Sequence, residues 1–296
     1  MLVLVTGGSG FIGSHLSRLL IEKGHDVRVM DLVEPKTPGV DYIRGDVRLF
    51  DDVAKAMRGA DAVAHLAALI SVDESVRKPA EYHATNVTGS LNVMRACVVG
   101  GVRRLVYASS AAVYGNPASL PLKEDSPAAP ISPYGATKLA PEFYAGAFQA
   151  SYGLSPIVLR LFNVYGPGQA LNDYSGAVTR FIENARAGKS PVIFGDGQQS
   201  RSFINVRDVA EAIYLALTSR ISFGTFNIAS KEPVTINDLA RMTIFAAGRN
   251  DLIPVHQEPR PGDITHSYAD PSKARLVLGF EPKVTLDEGL RELLQR

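Results

Sequence analysis

Two side chains in the segment Ser-Pro-Tyr-Gly-Ala-Thr-Lys (132–138) have the chemistry to move a proton together. Tyr134 and Lys138 stand four residues apart, which on a helix places them on one face, one turn from each other. Ser132 suits a helix cap and Pro133 the first helical position, so the spacing predicts a helix that opens here. A phenol beside an ammonium is either a coincidence of the surface or a general base whose pKa the cation lowers.

A second set of residues could hold phosphate. Gly7, Gly10 and Gly13 lie in "VTGGSGFIGSHL", after an apolar run that reads as a strand and before a pattern that reads as a helix. Glycines there allow a tight turn and let the backbone approach a pyrophosphate at the helix N-terminus. Asp31 ends the next strand-like run, where an acid would hold a ribose 2′-hydroxyl. No basic residue follows Asp31 before Lys36, which favours NAD over its 2′-phosphorylated form.

Other candidates fall at predicted strand ends. Asp46, in "RGDVR", reads as an adenine contact or as a helix cap. His65 opens "HLAA" and reads as buried against the sheet rather than catalytic; the small Ala67 and Ala68 would let a cofactor lie close. Ser109 and Ser110 close "RRLVYASS", where a hydroxyl can meet both a substrate oxygen and a tyrosine, or merely line a turn.

These residues need a scaffold. The strand-like runs are "LVLVTG", "DVRVMD", "DAVAHLAA", "RRLVYASS" and "SPIVLRLFNVYG". Helical patterns alternate with them: "GSHLSRLLIEKG", "DDVAKAMRGA", a stretch from about Tyr82 through "NVTGSLNVMRACVVGG", and Pro133 to about Tyr152. Continuously apolar strands separated by helices predict a parallel sheet covered on both faces, an α/β, Rossmann-like doubly wound domain over residues 1–165. Beyond it Gly and Pro become frequent, and helical patterns at "GAVTRFIENARAG", "VRDVAEAIYLALTS" and "TINDLARMTIFAAG" predict a smaller C-terminal α/β substrate lobe, 166–296. That boundary is soft, because "NVRDVAEAIYLAL" can pack back on the first lobe. Pro141, inside the Tyr134–Lys138 helix, should remove one backbone hydrogen bond and bend the helix just beyond Lys138.

Composition narrows the function classes. With 31 basic and 30 acidic residues the net charge is +1, so no overall field draws the chain to nucleic acid or anionic membrane. A single cysteine, Cys97, excludes an internal disulfide and any multi-cysteine metal site, and no metal is expected. No apolar run spans a bilayer, and the apolar start meets glycines at once rather than forming a leader. A soluble protein of a reducing compartment, the cytoplasm, is expected.

In order along the chain, "TGGSGFIG", Asp31, "GDV", "HLAA", "SSAAVYG", "SPYGATK", "LRLFNVYGPGQ", "VIFGDGQQSRSF", "NVRDVAEA" and "EPRPGDI" resemble the extended short-chain dehydrogenase/reductases of the NAD-dependent epimerase/dehydratase family, most of all its UDP-galactose (UDP-glucose) 4-epimerase branch. The resemblance covers nearly the whole chain. It implies an isomerase that holds NAD and turns over a UDP-hexose through a transient 4-keto sugar. Tyr134 would be the base, Lys138 would contact the nicotinamide ribose and steady the phenolate, and Ser110 would share the sugar hydroxyl. Phe11 and Ile12 would meet the pyrophosphate through backbone amides, Asp31 the adenosine ribose, and Asp46 and Val47 the adenine. Leu66, Ala67, Ala68 and Leu69 would line the cofactor, with Ser109 and Phe162 against it. Asn163 would bind the sugar nucleotide, with Val178, Val192 and Phe194 by the uracil and Arg201, Arg260 and Asp263 around the diphosphate and its approach. The helices near Tyr82–Val99 and Tyr134–Tyr152 are where such proteins pair, so a homodimer is implied, with Leu139, Phe143 and Phe148 as candidate contacts.

Departures from the family pattern limit the reading. Dehydratases carry an Asp-Glu pair after the active-site hydroxyl, where this chain has Ala111 and Ala112, so loss of water is disfavoured. The residue that controls sugar size falls at Ser267; a serine in place of the tyrosine common in hexose-selective enzymes leaves room for N-acetylated sugars. Ala177 replaces an asparagine usual in the epimerase pocket, and "RSF" (201–203) stands where Arg-Asp-aromatic is common. Another nucleotide-sugar oxidoreductase or a decarboxylase remains an alternative, as does a non-catalytic dinucleotide sensor, although sensors usually lose the Tyr-Lys pair.

Overall fold

The structure, a computed structural model, describes residues 1–171, 176–259 and 264–295. Seven strands form a wholly parallel sheet in the spatial order Gly224–Ile228, Ser155–Leu161, Arg104–Ser110, Ala62–His65, Leu2–Thr6, Asp26–Asp31, Asp41–Arg44. The chain runs outward from the first strand in one direction and then restarts on its other side. Between Leu2–Thr6 and Ala62–His65 the order therefore reverses, and a crevice opens at the carboxyl ends there.

The core follows from strand alternation. Val3 and Val5, Ala62 and Ala64, Val106, and Ile157 and Leu159 face one helix layer. Leu4, Val63, Leu105 and Tyr107, and Val158 face the other. Successive side chains of a strand point to opposite faces, so a strand covered on both sides is apolar on both of them through most of its length. The first layer holds Leu16 and Leu20 of helix Phe11–Glu22 and Val209, Ile213 and Leu217 of helix Val206–Thr218. The second holds Val53 and Met57, Val93 and Cys97, and Ala145 and Phe148. Each of the Val, Leu, Ile, Met and Phe side chains among them, fully buried, contributes ~1.5–3 kcal/mol.

Two elements from beyond residue 166 belong to this sheet: helix Val206–Thr218, which packs on helix Phe11–Glu22, and the edge strand Gly224–Ile228. The remaining C-terminal lobe has its own core around Phe181, Ile182, Ile193, Leu239 and Leu290, under strands of two or three residues.

The Tyr134–Lys138 helix spans Pro133–Tyr152. Ser132 caps it through Gly135 N–H at 3.1 Å, and Gly153 ends it at φ +67°. It runs unbroken through Pro141, so the expected disturbance stays local: Thr137 loses its helical donor, while the next carbonyl, Lys138 O, receives the Tyr107 hydroxyl at 3.1 Å. Among the described residues no helix is long and apolar enough to cross a membrane.

Candidate active site

The first strand-to-helix turn is built around Gly7, whose φ is +73°. A Cβ there would stand 2.6 Å from Ala67 N, and one at Gly13 would stand 2.3 Å from Gly7 O. Both glycines are therefore required by close approach, Gly7 to the "HLAA" turn and Gly13 to its own loop. Helix Phe11–Glu22 starts at Gly10 with no side-chain cap and no acid in its first turn. Its first amides lack helical partners and point, with the positive end of the helix dipole, into the crevice. Asp31 accepts Ser9 N–H at 3.0 Å and Val33 N–H at 3.3 Å, so the acid at the second strand end also shapes the glycine loop. A cradle with no room for a Cβ, free amides and a carboxylate at the ribose position fit a dinucleotide.

On the other side of the crevice, Leu66–Leu69 hang between two anchors. Leu66 N–H donates to Thr6 O at 3.0 Å. Leu69 exchanges two hydrogen bonds with the Asn86 side chain, at 2.8 and 2.9 Å, and Asn86 also donates to Thr137 Oγ1 at 3.0 Å. Asn86 sits in the π-helical stretch His83–Thr88; the sequence reading missed it, because an asparagine inside an amphipathic pattern gives no sign of what it faces. His65 lies beneath, with Thr6 Oγ1 at 2.7 Å from Nδ1 and Ser90 Oγ at 2.9 Å from Nε2. Ser90 spends its own proton on Asn86 O at 2.5 Å, so Nε2 must donate and Nδ1 accept. Burial, then the nearby Lys138 charge, pushes the His65 pKa down to about 3. His65 is a neutral strut.

Tyr134 is 9% exposed, and its backbone N–H donates to Ser75 Oγ at 3.0 Å. Ser110 is the polar neighbour that acts to lower the pKa of the Tyr134 hydroxyl, and Ser110 Oγ accepts Ala112 N–H at 3.2 Å. Lys138 is 5% exposed; Nζ donates to Ala108 O at 2.8 Å and lies 5.3 Å from the Tyr107 ring centre. The expectation that Lys138 lowers the Tyr134 pKa needs correction: Lys138 is not among the groups that shift it. Burial pushes the phenol up, the Ser110 hydrogen bond works against that, and Tyr82 adds to the rise. Burial likewise brings Lys138 down to about 8, with Glu142 opposing.

The other candidates have these surroundings. Ser109 does not face the crevice: it donates to the buried Glu142 carboxylate at 2.5 Å. Phe162 is core, packed with Val113, Leu122 and Tyr114, and Val178 belongs to the interior of the C-terminal lobe. Val47 is buried against Gly89, and Asn92 Nδ2 donates to its carbonyl at 3.0 Å. The Asp46 carboxylate is engaged by Arg48, whose Nη2 is at 2.5 Å; that hydrogen bond holds the acid below its ordinary value despite partial burial.

Across the crevice, Asn163 Nδ2 donates to Ser202 O at 2.9 Å. Ser267 pairs in register with Arg201, on parallel two-residue strands, so the size-determining and diphosphate candidates share one wall. Arg201 Nη1 donates to Ser200 O at 2.9 Å and Thr265 O at 3.1 Å. The strand Val192–Phe194 lies in the same lobe, with Gln199 Nε2 donating to Phe194 O at 2.7 Å. Ala177 opens helix Ala177–Arg186. Arg260 and Asp263 lie outside the described residues.

The profile of the NAD dependent epimerase/dehydratase family matches residues 3–229. A putative UDP-glucose 4-epimerase of Methanocaldococcus jannaschii is 35% identical over 301 residues, 99% of this chain and 97% of that protein. The crystal structure of UDP-glucose 4-epimerase from Thermotoga maritima with UDP-glucose superposes with a TM-score of 0.94 at 36% identity, covering 100% of this chain and 98% of that one. UDP-N-acetylglucosamine 4-epimerase from Methanobrevibacter ruminantium, in complex with UDP-N-acetylmuramic acid, gives a TM-score of 0.92 at 38% identity, covering 99% and 96%.

Proposed function

The chain belongs to the NAD-dependent epimerase/dehydratase family, and from that premise we propose that it is a UDP-glucose 4-epimerase-like isomerase, which inverts the C4 carbinol of a UDP-hexose through a transient 4-keto sugar. The observation that carries this is the trio of Ser110, at a strand end, with buried Tyr134 and Lys138 one turn apart on the facing helix, and Ala111 and Ala112 directly after the serine. The trio can take the proton of a carbinol and give it back, while a bound dinucleotide would supply the hydride acceptor and donor. The two alanines supply no acid or base for eliminating water.

When bound, NAD would supply the hydride acceptor and donor for the sugar C4. The protein's own contribution is the proton. Ser110 shares the 4-hydroxyl and aims it at the Tyr134 oxygen, which takes the proton. Because burial holds that phenol high, the anion forms only with a cation beside it, and Lys138 is the one a turn away. The hydroxyl proton returns from Tyr134 when the ketone is reduced. Gly7, Gly10 and Gly13, the Phe11 and Ile12 amides, Asp31 and the Leu66–Leu69 turn would hold the dinucleotide. Asn163, Val192, Phe194, Arg201 and Ser267, with Arg260 and Asp263, would hold the sugar nucleotide, and the bound half of the molecule would stay fixed while the hexose turns. The sheet lobe thus serves the cofactor and the C-terminal lobe the sugar nucleotide. A serine at 267 favours acceptance of N-acetylhexosamines.

The same reading extends to assembly and place. Phe143, 71% exposed, and Tyr144, 41% exposed, project from the catalytic helix, which packs on helix Gly89–Gly100, itself ending in exposed Val98 and Val99. Leu139 and Phe148 turn inward instead. This face suits a homodimer seam; sedimentation should give a dimer, and Phe143→Glu a monomer. Cys97 is buried and its thiol pushed up to about 12 by burial, so it needs no oxidising environment, and the cytoplasm fits.

Purified protein, with no cofactor added, should interconvert UDP-glucose and UDP-galactose. Net consumption of reduced cofactor, or release of carbon dioxide from a uronate without epimerisation, would contradict the reading.

A further inference from the structure

Tyr134, Lys138 and Glu142 fall at i, i+4 and i+8, a single face of the catalytic helix. Consecutive residues of the strand end each meet one of them: Ser110 is the neighbour that acts on the Tyr134 hydroxyl, Ser109 Oγ donates to Glu142 Oε1 at 2.5 Å, and Ala108 O accepts from Lys138 Nζ at 2.8 Å. Arg160, directly opposite Ser109 on the neighbouring strand, completes the grip. Its Nη2 donates to Glu142 Oε2 at 2.7 Å and its Nε reaches both carboxylate oxygens at 3.1 Å. The two side chains are 7% and 8% exposed.

Building on the function proposed above, we infer that Glu142 is a positioning residue of the reaction: it sets the register of the catalytic helix on the strand Arg104–Ser110 and places a negative charge one turn beyond Lys138 that keeps the ammonium charged where the reaction needs it.

Stability alone is a poor reason for such a pair. Taking both charges out of water costs about what their attraction returns, and apolar replacements of equal volume are often as stable. What an apolar pair could not do is oppose the burial of Lys138. The titratable groups that face Lys138 are neutral His65, Tyr107, whose ring centre lies 5.3 Å from Nζ, and Glu142, itself paired with Arg160. Among their charges that of Glu142 favours the charged lysine, against burial that brings it to about 8. Arg160 also donates to Glu124 O at 3.2 Å, and the adjoining Leu122 exchanges backbone hydrogen bonds with Tyr268 and Asp270 at 2.9 Å. The same pair thereby ties the catalytic helix to the chain next to Ser267.

The test is the pH profile of kcat for UDP-galactose epimerisation in the intact protein. Removing the Glu142 charge leaves burial unopposed, so Lys138 loses its proton at lower pH and the alkaline limb moves down. In Glu142→Gln, kcat should fall about tenfold above neutrality and the limb should drop by about one unit, with KM little changed. Glu142→Asp, which keeps the charge, should restore the limb. Because Glu142→Gln strands a buried guanidinium, the double variant Glu142→Gln/Arg160→Met is measured beside it and should show the same shift. A folded charge-free variant with the wild-type kcat and an unmoved limb overturns the inference. Loss of fold in both charge-free variants also overturns it, since the pair would then be structural first. Wild type inactive on every UDP-hexose would instead remove the proposed function.

Discussion

The strand end at Ala108–Ser110 and the wall that carries Ser267 are built differently. The first closes a seven-residue strand flanked on both sides by others of the main sheet, and its contacts to the catalytic helix are made by buried side chains. The second consists of two-residue strands, Ser200–Arg201 between Val234–Thr235 and His266–Ser267, outside the main sheet. A group that must meet a reacting atom gains from a support that allows only one geometry. A wall that only admits or refuses a substituent can be thin and replaceable. Changes at the strand end should therefore strike the rate, and changes at the wall the choice of sugar.

The largest test of that division is Tyr134→Phe. It should lower kcat by ~10²–10⁴-fold with KM within a few-fold, the cost of losing a general base; steady-state kinetics within tenfold of wild type would break the contrast. Lys138→Met comes next, with a loss of ~10²-fold and an unusual companion in stability. Lys138 titrates near 8 in the fold against ~10.4 unfolded, so the unfolded chain binds the extra proton between those values. The folded protein bears the cost of the buried charge fully below about 8 and sheds it as pH rises toward 10.4. At pH 7, thermal unfolding of Lys138→Met should come no lower than wild type, and a clear fall in Tm would show that the ammonium is a structural asset. Gly7→Ala sharpens the cofactor side: a left-handed backbone and a Cβ 2.6 Å from Ala67 N should cost ~1–3 kcal/mol and lower the NAD that copurifies, read by absorbance after denaturation. The smallest effect belongs to the wall. Ser267→Tyr should change the preference for UDP-hexose over its N-acetylated form by ~10-fold with little change in hexose turnover; equal losses on both sugars would move Ser267 into the catalytic corner.

Much of this contrast was legible in the residues. The five inner strands announced themselves as unbroken apolar runs, because a doubly covered strand has no polar side to show. Tyr134 and Lys138 stood out by their spacing, and the resemblance of the surrounding motifs gave them their roles. The edge strand Gly224–Ile228 did not: "GTFNI" is short and carries a glycine and an asparagine, and its place is set by pairing with Ser155–Leu161, far away in the chain. "SPIVLRLFNVYG" read as one strand, yet the chain leaves the sheet after Leu161, and Val164–Tyr165 pairs instead with Ile204–Asn205. The two serines at 109 and 110 looked alike in sequence. Neighbouring strand residues diverge, so one meets Tyr134 and the other Glu142 two turns away. Glu142 was in plain view at i+8, but a carboxylate on a helix is usually solvated, and only the fold shows Arg160 closing over it. The sign of the Tyr134 shift was hidden for the same reason: spacing reveals the neighbouring charge and says nothing about burial.

The account turns on hydride leaving and returning at one carbon while Tyr134 handles only the hydroxyl proton. UDP-glucose deuterated at C4, turned over in ordinary water with no cofactor added, tests this most directly. The account predicts UDP-galactose that keeps its deuterium at C4, with no solvent hydrogen incorporated there. Product that has exchanged its C4 deuterium with water would contradict it.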